Sequence, residues 1–139
     1  MTLKRGLTAQ QSHVVTQEDL ALNWGGEIPV LASPVLMGLL EQTCVMATDE
    51  QLPKGKTTVG VGFDVRHLAP TPAQEAVTLV ATLTEINGKQ LQYFVEARDS
   101  KGVISSGKHF RGIVDRDKFL EKIGNRLAPD DSAPENASG

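Results

Sequence analysis

The chain of 139 residues has the length of one domain with one hydrophobic core. It is 40% hydrophobic and 22% charged with a net charge of −3, a balance that argues against a disordered chain and gives no basic surface for nucleic acid. No apolar run reaches the roughly 20 residues that a membrane span needs, no signal peptide is recognisable, and the single Cys44 excludes an internal disulfide. We therefore expect a cytoplasmic protein without nucleic-acid or membrane partners.

The N-terminal region predicts little regular structure. The first dozen residues show no pattern, and residues 12–16 (SHVVT) predict a short strand. Residues 17–27 contain the sequence NWGG, which is typical of a short helical turn followed by a loop.

The clearest predicted element is a helix that begins at Ser33-Pro34. A serine offers an N-cap oxygen and a proline suits the first helical turn, so we expect Ser33 to cap this helix. Apolar residues then fall on nearly every side of the segment until Pro53 and Gly55 end it. A helix of this kind is normally buried inside a structure rather than lying on its surface.

Four strands are predicted after this helix, at residues 56–67, 76–86, 90–98 and 103–114. Asn87-Gly88 between the second and third of them is a strong hairpin signal. Residues 115–127 predict a short helix, which would close a domain spanning residues 1–127. The remaining segment, residues 128–139, is rich in Pro, Asp, Ser and Ala and predicts a disordered tail.

The order of these elements favours an α+β hot-dog fold, in which a curved antiparallel sheet wraps one long central helix. One sheet and one helix leave a sheet edge open and part of the helix uncovered. Pairing two protomers into a continuous sheet would cover both, so we expect a homodimer, and a further assembly to a tetramer stays open.

Three polar residues stand out from this pattern. Glu41 lies in the middle of the apolar helix, where a buried carboxylate needs a partner, a shifted pKa or a function. The alternative is that Glu41 and Gln42 lie on a narrow hydrated strip of the helix, at a dimer or solvent edge. Ser33 places a hydroxyl beside the free N–H groups of a helix start. His67 ends a strand before a Pro-x-Pro loop and has the acid–base chemistry of an imidazole, whereas His13 and His109 are interpreted as ordinary surface or edge residues.

Other sites are not indicated by the sequence. Cys44 is interpreted as an inert core thiol. The phosphate-binding glycine loop and the HExxH, CxxC and GxSxG motifs are all missing, so we expect neither a metal nor a cofactor.

Three segments together resemble the fluoroacetyl-CoA thioesterase family of hot-dog enzymes. Residues 30–44 (VLASPVLMGLLEQTC) are similar to its central helix, residues 58–72 to its strand ending in V-x-H-x-A-x-T-P, and residues 106–111 to its G-x-H-x-R segment. The resemblance extends over about residues 5–122, in register. It implies acyl-CoA thioester hydrolysis with Ser33, Glu41 and His67 as catalytic residues, and acyl-CoA contacts at Gly60 and Arg111.

The chain departs from this family at two places. Ser33 stands where the best-known member has threonine, which keeps the hydroxyl and loses a methyl group. Residues 24–29 (WGGEIP) do not reproduce the phenylalanine-bearing segment before the helix, so the resemblance supports thioester hydrolysis more strongly than selectivity for fluorine.

Ser33 and Glu41 are too far apart to touch one imidazole from the same straight helix. Eight residues correspond to about 12 Å along the helix axis. As a hypothesis, His67 is the general base or acid, oriented or charged by Glu41, and Ser33 is either the nucleophile or a group that holds water. Either the chain before Pro34 folds back or the site uses both protomers, and we predict an active site at the dimer interface.

Other functions of the same fold remain open from the sequence. These are a thioesterase for an acyl chain bound to a carrier protein, a hydratase or dehydratase, and an acyl-CoA-binding module without catalysis. The retention of all three polar residues disfavours the binding module, and the hydratase signature of Asp followed by His is not evident.

Overall fold

The computed structural model describes residues 2–129, which form one antiparallel sheet and two α-helices. The strands are β1 (Thr8–Val14), β2 (Lys56–His67), β3 (Ala76–Asn87), β4 (Gln90–Asp99) and β5 (Gly102–Asp115), and the helices are α1 (Ser33–Thr48) and α2 (Arg116–Leu127). Short 3-10 turns lie at Gln17–Asp19, Ala21–Asn23 and Asp49–Gln51.

The five strands are ordered β1-β3-β4-β5-β2, so β1 and β2 form the two edges of the sheet. The predicted hairpin joins β3 to β4, with Asn87 paired to Gln90. Gly88 in its turn has a φ of +62°, in the left-handed region that favours glycine. Strand β2 pairs with β5 and carries a bulge between Gly60 and Gly62.

One face of α1 packs against the sheet. The buried residues of this face are Leu36, Leu40, Thr43, Cys44, Ala47 and Thr48. They meet alternate residues of β3 and β4 in one hydrophobic core, which includes Leu79, Leu83, Tyr93 and Val95. The alternation along β3 and β4 follows from the pleat of a strand, in which every second side chain points to the same face of the sheet.

The other face of α1 is not covered by residues 2–129, which corrects the expectation of a helix buried on all sides. Met46 is 51% exposed, and Val35, Met37, Leu39 and Val45 are half-buried. The edge strand β2 likewise exposes Val61 and Phe63.

The prediction that Ser33 caps α1 is wrong. Ala32 is the N-cap, Ser33 is the first helical residue, and the backbone N–H of Leu36 donates to the Ala32 carbonyl at 3.0 Å. Proline at the second position suits the first turn, where no N–H is needed. The Ser33 hydroxyl is therefore not engaged in capping the helix.

The predicted bounds of the four later strands and of α2 agree with the structure to within one residue. The first strand differs from its predicted bounds of residues 12–16. Strand β1 begins at Thr8, in the segment for which no regular structure was expected, and ends at Val14. Of the tail predicted to be disordered, residues 130–139 lie outside the described residues. No helix within residues 2–129 is long and apolar enough to cross a membrane.

Candidate active site

Ser33 and His67 meet at the start of α1. The Ser33 Oγ lies 2.8 Å from the His67 Nδ1, within hydrogen-bond distance. Ser33 is the first residue of α1 and His67 is the last residue of β2, so the contact joins residues 34 positions apart in the chain. The structure therefore brings together two of the three predicted catalytic side chains.

The environment of His67 favours its neutral form. Burial lowers its pKa below the ordinary value of 6.5, although the backbone of Ala69 opposes this shift. The Nε2 atom is buried and has no hydrogen-bond partner among residues 2–129. A neutral imidazole whose Nδ1 faces a hydroxyl is able to accept the proton of that hydroxyl.

Glu41 lies in a second cluster, against Arg111 instead of His67. Arg111 Nη1 donates to Glu41 Oε2 at 2.9 Å, and the Glu41 side chain is 40% exposed. The carboxylate borders an open cavity of about 420 Å³ on the uncovered face of α1, whose lining includes Gly38, Val45 and Met46. Glu41 thus has the charged partner that its position in an apolar helix requires.

Arg111 is buried at the centre of this cluster. Its Nε donates to Thr58 Oγ1 at 2.9 Å and its Nη2 donates to the Thr58 carbonyl at 3.1 Å. The resemblance predicts a substrate contact for Arg111, yet in this structure the contacts of its guanidinium are with Glu41, Thr58 and His109.

His109 is fully buried beside Arg111, so its interpretation as a surface or edge residue is wrong. Its Nδ1 donates to the Gly62 carbonyl at 2.8 Å, and its ring stacks on Phe63 with centroids 4.2 Å apart. Burial lowers the pKa of His109, so Nε2 is an acceptor and lies 3.2 Å from Arg111 Nη1. The alternation along β5, which places residues 109 and 111 on the same face, is the sequence signal for this burial.

The Glu41 carboxylate lies close against the backbone of Gly60. A Cβ atom built at Gly60 would overlap Glu41 Oε2 and would lie 3.5 Å from Arg111 Nη1. Glycine at this position allows the Glu41 carboxylate to lie this close to β2. The structure groups Gly60 and Arg111, the two predicted substrate-contact residues, around Glu41.

The two clusters do not join within one chain. Among residues 2–129, Glu41 forms an ion pair with Arg111 and lies 3.4 Å from the neutral His109 Nε2, and it makes no ion pair with His67. This separation agrees with the length of α1 between Ser33 and Glu41, about 12 Å at 1.5 Å per residue.

Two other predictions concern this region. Cys44 is buried, and burial raises the pKa of its thiol to about 12, as expected for an inert core cysteine. Within residues 2–129, no group of three His, Cys, Asp or Glu side chains is placed to hold a metal ion.

The fold and the site can be compared with known proteins. Residues 15–117 match the model of the fluoroacetyl-CoA-specific thioesterase family. The chain belongs to this family. It is 35% identical over 94 residues to the fluoroacetyl-CoA thioesterase of Streptantibioticus cattleyicolor, a match that covers 68% of each protein.

Solved structures agree with this assignment. A crystal structure of fluoroacetyl-CoA thioesterase superposes with a TM-score of 0.83 at 29% identity, covering 93% of this chain and all of the other. A hot-dog-like protein from Thermanaerovibrio acidaminovorans gives a TM-score of 0.86 at 22% identity, covering 92% of this chain and 96% of the other, which supports the fold alone. The predictions of a hot-dog fold and of a thioester hydrolase are therefore confirmed.

Proposed function

We propose that this thioesterase hydrolyses short-chain acyl-CoA to a free acid and CoA, with Ser33 and His67 of one protomer and Glu41 of the other at the active site. The observation that carries the proposal is the 2.8 Å contact between Ser33 Oγ and His67 Nδ1 at the start of α1. As the sequence predicts, we place this reaction in the cytoplasm.

The geometry supports Ser33 as the nucleophile. His67 Nδ1 takes the proton of the Ser33 hydroxyl while Oγ forms a bond to the thioester carbonyl carbon. The carbon–sulfur bond then breaks, and the CoA sulfur leaves with the proton from His67. Water then attacks the carbonyl carbon of the acyl-serine and gives a proton to a base. The bond between that carbon and Oγ breaks, and Oγ takes the proton back, which releases the acid and restores the serine hydroxyl.

The start of α1 supplies electrostatic stabilisation for this step. The N–H groups of the first turn have no acceptor within the helix, and Pro34 has no N–H. The N–H groups of Ser33 and Val35 are therefore available to a developing oxyanion, where the positive end of the helix dipole also acts.

Glu41 reaches this site from the second protomer in our proposal. Its carboxylate opens on the uncovered face of α1, beside the exposed Met46, and the edge strand β2 exposes Val61 and Phe63. A second copy packed on this face would bury these apolar side chains and would bring the partner's Glu41 toward Ser33. There the carboxylate is the base that activates the hydrolytic water.

The acyl group in the proposal is short, because the relatives act on fluoroacetyl-CoA, whose acyl group has two carbons. The proposal does not extend to fluorine, since residues 24–29 differ from the family segment before the helix.

CoA release from a panel of acyl-CoA esters tests this function. We expect turnover of short esters, and a loss of kcat of at least about 100-fold in Ser33→Ala and in His67→Ala, the scale for removed acid–base groups. Ser12→Ala, an exposed serine on β1, is the matched control and should keep wild-type kcat. An acyl adduct seen by mass spectrometry after acid quench, and missing in Ser33→Ala, would identify the nucleophile.

Two outcomes would contradict parts of the proposal. Turnover without an adduct, with Ser33→Ala inactive, would mean that Ser33 holds water instead of attacking. Binding of CoA esters without any turnover would refute hydrolysis of acyl-CoA and leave a carrier-bound substrate or a binding module.

A further inference from the structure

The Arg111–Glu41 ion pair is held in place by residues that the catalytic roles above do not include. Arg111 is 5% exposed, and two of its three guanidinium nitrogens donate to Thr58, one to the hydroxyl and one to the carbonyl. Only Nη1 is directed at Glu41, and it lies between the carboxylate and His109 Nε2. The direction of Nη1 therefore depends on the two hydrogen bonds that Thr58 accepts from the rest of the guanidinium.

The Thr58 hydroxyl is itself fixed by a carboxylate. It accepts from Arg111 Nε, so its own hydrogen is free to be donated elsewhere. Asp49 receives that hydrogen, with Oδ1 at 2.8 Å and Oδ2 at 3.0 Å from Thr58 Oγ1. A hydroxyl with both its donor and its acceptor engaged has a single favoured orientation.

Asp49 and Glu41 thus lie at the two ends of one polar chain. Asp49 follows α1 directly, Thr58 lies on β2, and Arg111 lies on β5. The charges alternate from the Asp49 carboxylate through the guanidinium to the Glu41 carboxylate, so the buried cation of Arg111 has an anion on each side. This series of polar contacts links the C-terminal end of α1 to the Glu41 carboxylate near the middle of the same helix, through strands β2 and β5.

We infer that Asp49 and Thr58 are positioning residues, which orient Arg111 and thereby set the direction of the Glu41 carboxylate. This inference rests on the proposed role of Glu41 in thioester hydrolysis. Neither side chain touches the substrate in this account; both act through the guanidinium.

Replacing the Thr58 hydroxyl without changing the shape of the side chain tests the inference. Thr58→Val should lower kcat on the order of 10- to 100-fold, the cost of a small misplacement of a catalytic group, with KM within about threefold of wild type. Thr58→Ser restores the hydroxyl and should restore kcat. Thr84→Val is the matched control, because Thr84 is a half-buried threonine on β3 whose hydroxyl donates to the Gln92 carbonyl at 3.0 Å and not to Asp49 or Arg111.

A double-mutant comparison separates positioning from a merely structural role. In a Glu41→Ala background, Thr58→Val should cause no further loss of kcat, because the group that it positions is gone. Asp49→Ala, at a half-buried site, provides the same comparison if Thr58→Val does not fold.

Three results would overturn the inference. They are a wild-type kcat in Thr58→Val, an equal loss in Thr84→Val, and an undiminished loss in the Glu41→Ala background. A wild-type protein without turnover of any acyl-CoA would instead refute the proposed function, so the two failures are distinguishable.

Discussion

The Ser33 hydroxyl is available for chemistry because it does not cap α1. Pro34 occupies the second position of α1, and the capping position falls on Ala32, so Ser33 becomes the first helical residue and its side chain faces His67. A Ser-Pro pair at a helix start predicts a cap from propensity alone. The choice between capping and contact with His67 is decided by the end of β2, which lies 34 residues away in the chain.

The pH dependence of the reaction follows from the neutral state of His67. Burial lowers the pKa of His67 below 6.5, so the imidazole keeps its ability to accept a proton at and somewhat below that pH. We predict that kcat/KM is constant near neutrality and falls with acid only below pH 6.5, where His67 becomes protonated. A pH profile of kcat/KM for a short acyl-CoA measures this midpoint.

The control for this profile is His13→Gln, which removes a histidine that pairs with Asp19 and makes no contact with Ser33 or His67. Its midpoint should equal that of the wild type. An acidic limb centred above pH 6.5 would contradict the assignment of a buried, neutral His67 as the base.

Side chains whose partners are distant in the chain leave little signal in the sequence. Glu41 stood out because it is a carboxylate among apolar residues, but its partner Arg111 is 70 positions away, and no periodicity links them. The sequence predicts an ordinary surface or edge histidine at His109, although the alternation of β5 places it on the buried face with Arg111. Thr58 and Asp49 carry no sequence signal for their roles, since threonine is common in strands and aspartate at helix ends.

At the scale of elements, local pattern was sufficient wherever it was strong. The bounds of β2 were predicted to the residue, because apolar alternation runs from Lys56 to His67 between clear turn signals. The start of β1 was missed because residues 8–11 (TAQQ) contain no large apolar side chain, and this segment becomes a strand by pairing with β3. Pairing of that kind depends on tertiary context.

The bulge in β2 gives a matched pair of glycines for a test. Gly60→Ala would push a Cβ into the Glu41 carboxylate, which is the end of a flexible side chain and is able to move away. We predict a loss of kcat of about 10-fold or more as Glu41 leaves Arg111, with the free energy of unfolding changed by no more than about 1 kcal/mol. Enzyme kinetics and chemical denaturation measure the two effects.

Gly62→Ala is the control on the other side of the bulge, because a Cβ there meets no atom within 4 Å. It should leave kcat near the wild-type value. Equal losses in both variants would show that the bulge tolerates no side chain, and would remove the argument that Gly60 is required by Glu41.

At the scale of the whole molecule, the single chain is an incomplete unit in our account. The Ser33–His67 pair lies at the start of α1, whereas Glu41 lies two turns further along and opens on the uncovered face of the helix. The sequence predicted this division from the length of an α-helix alone. It could not predict the polar contacts that hold each half, because those depend on the register of β2 against β5.

The most direct test of a site shared between two protomers is the activity of a purified heterodimer of Glu41→Ala and His67→Ala chains, isolated with two affinity tags. If Ser33 and His67 come from one protomer and Glu41 from the other, one of the two sites is intact, and CoA release recovers to about half of the wild-type rate. The Ser33→Ala/His67→Ala heterodimer is the control and should stay inactive, because those two residues belong to the same half-site. No recovery in the first heterodimer would contradict the shared site. It would mean that Glu41, Ser33 and His67 of one active site come from the same protomer.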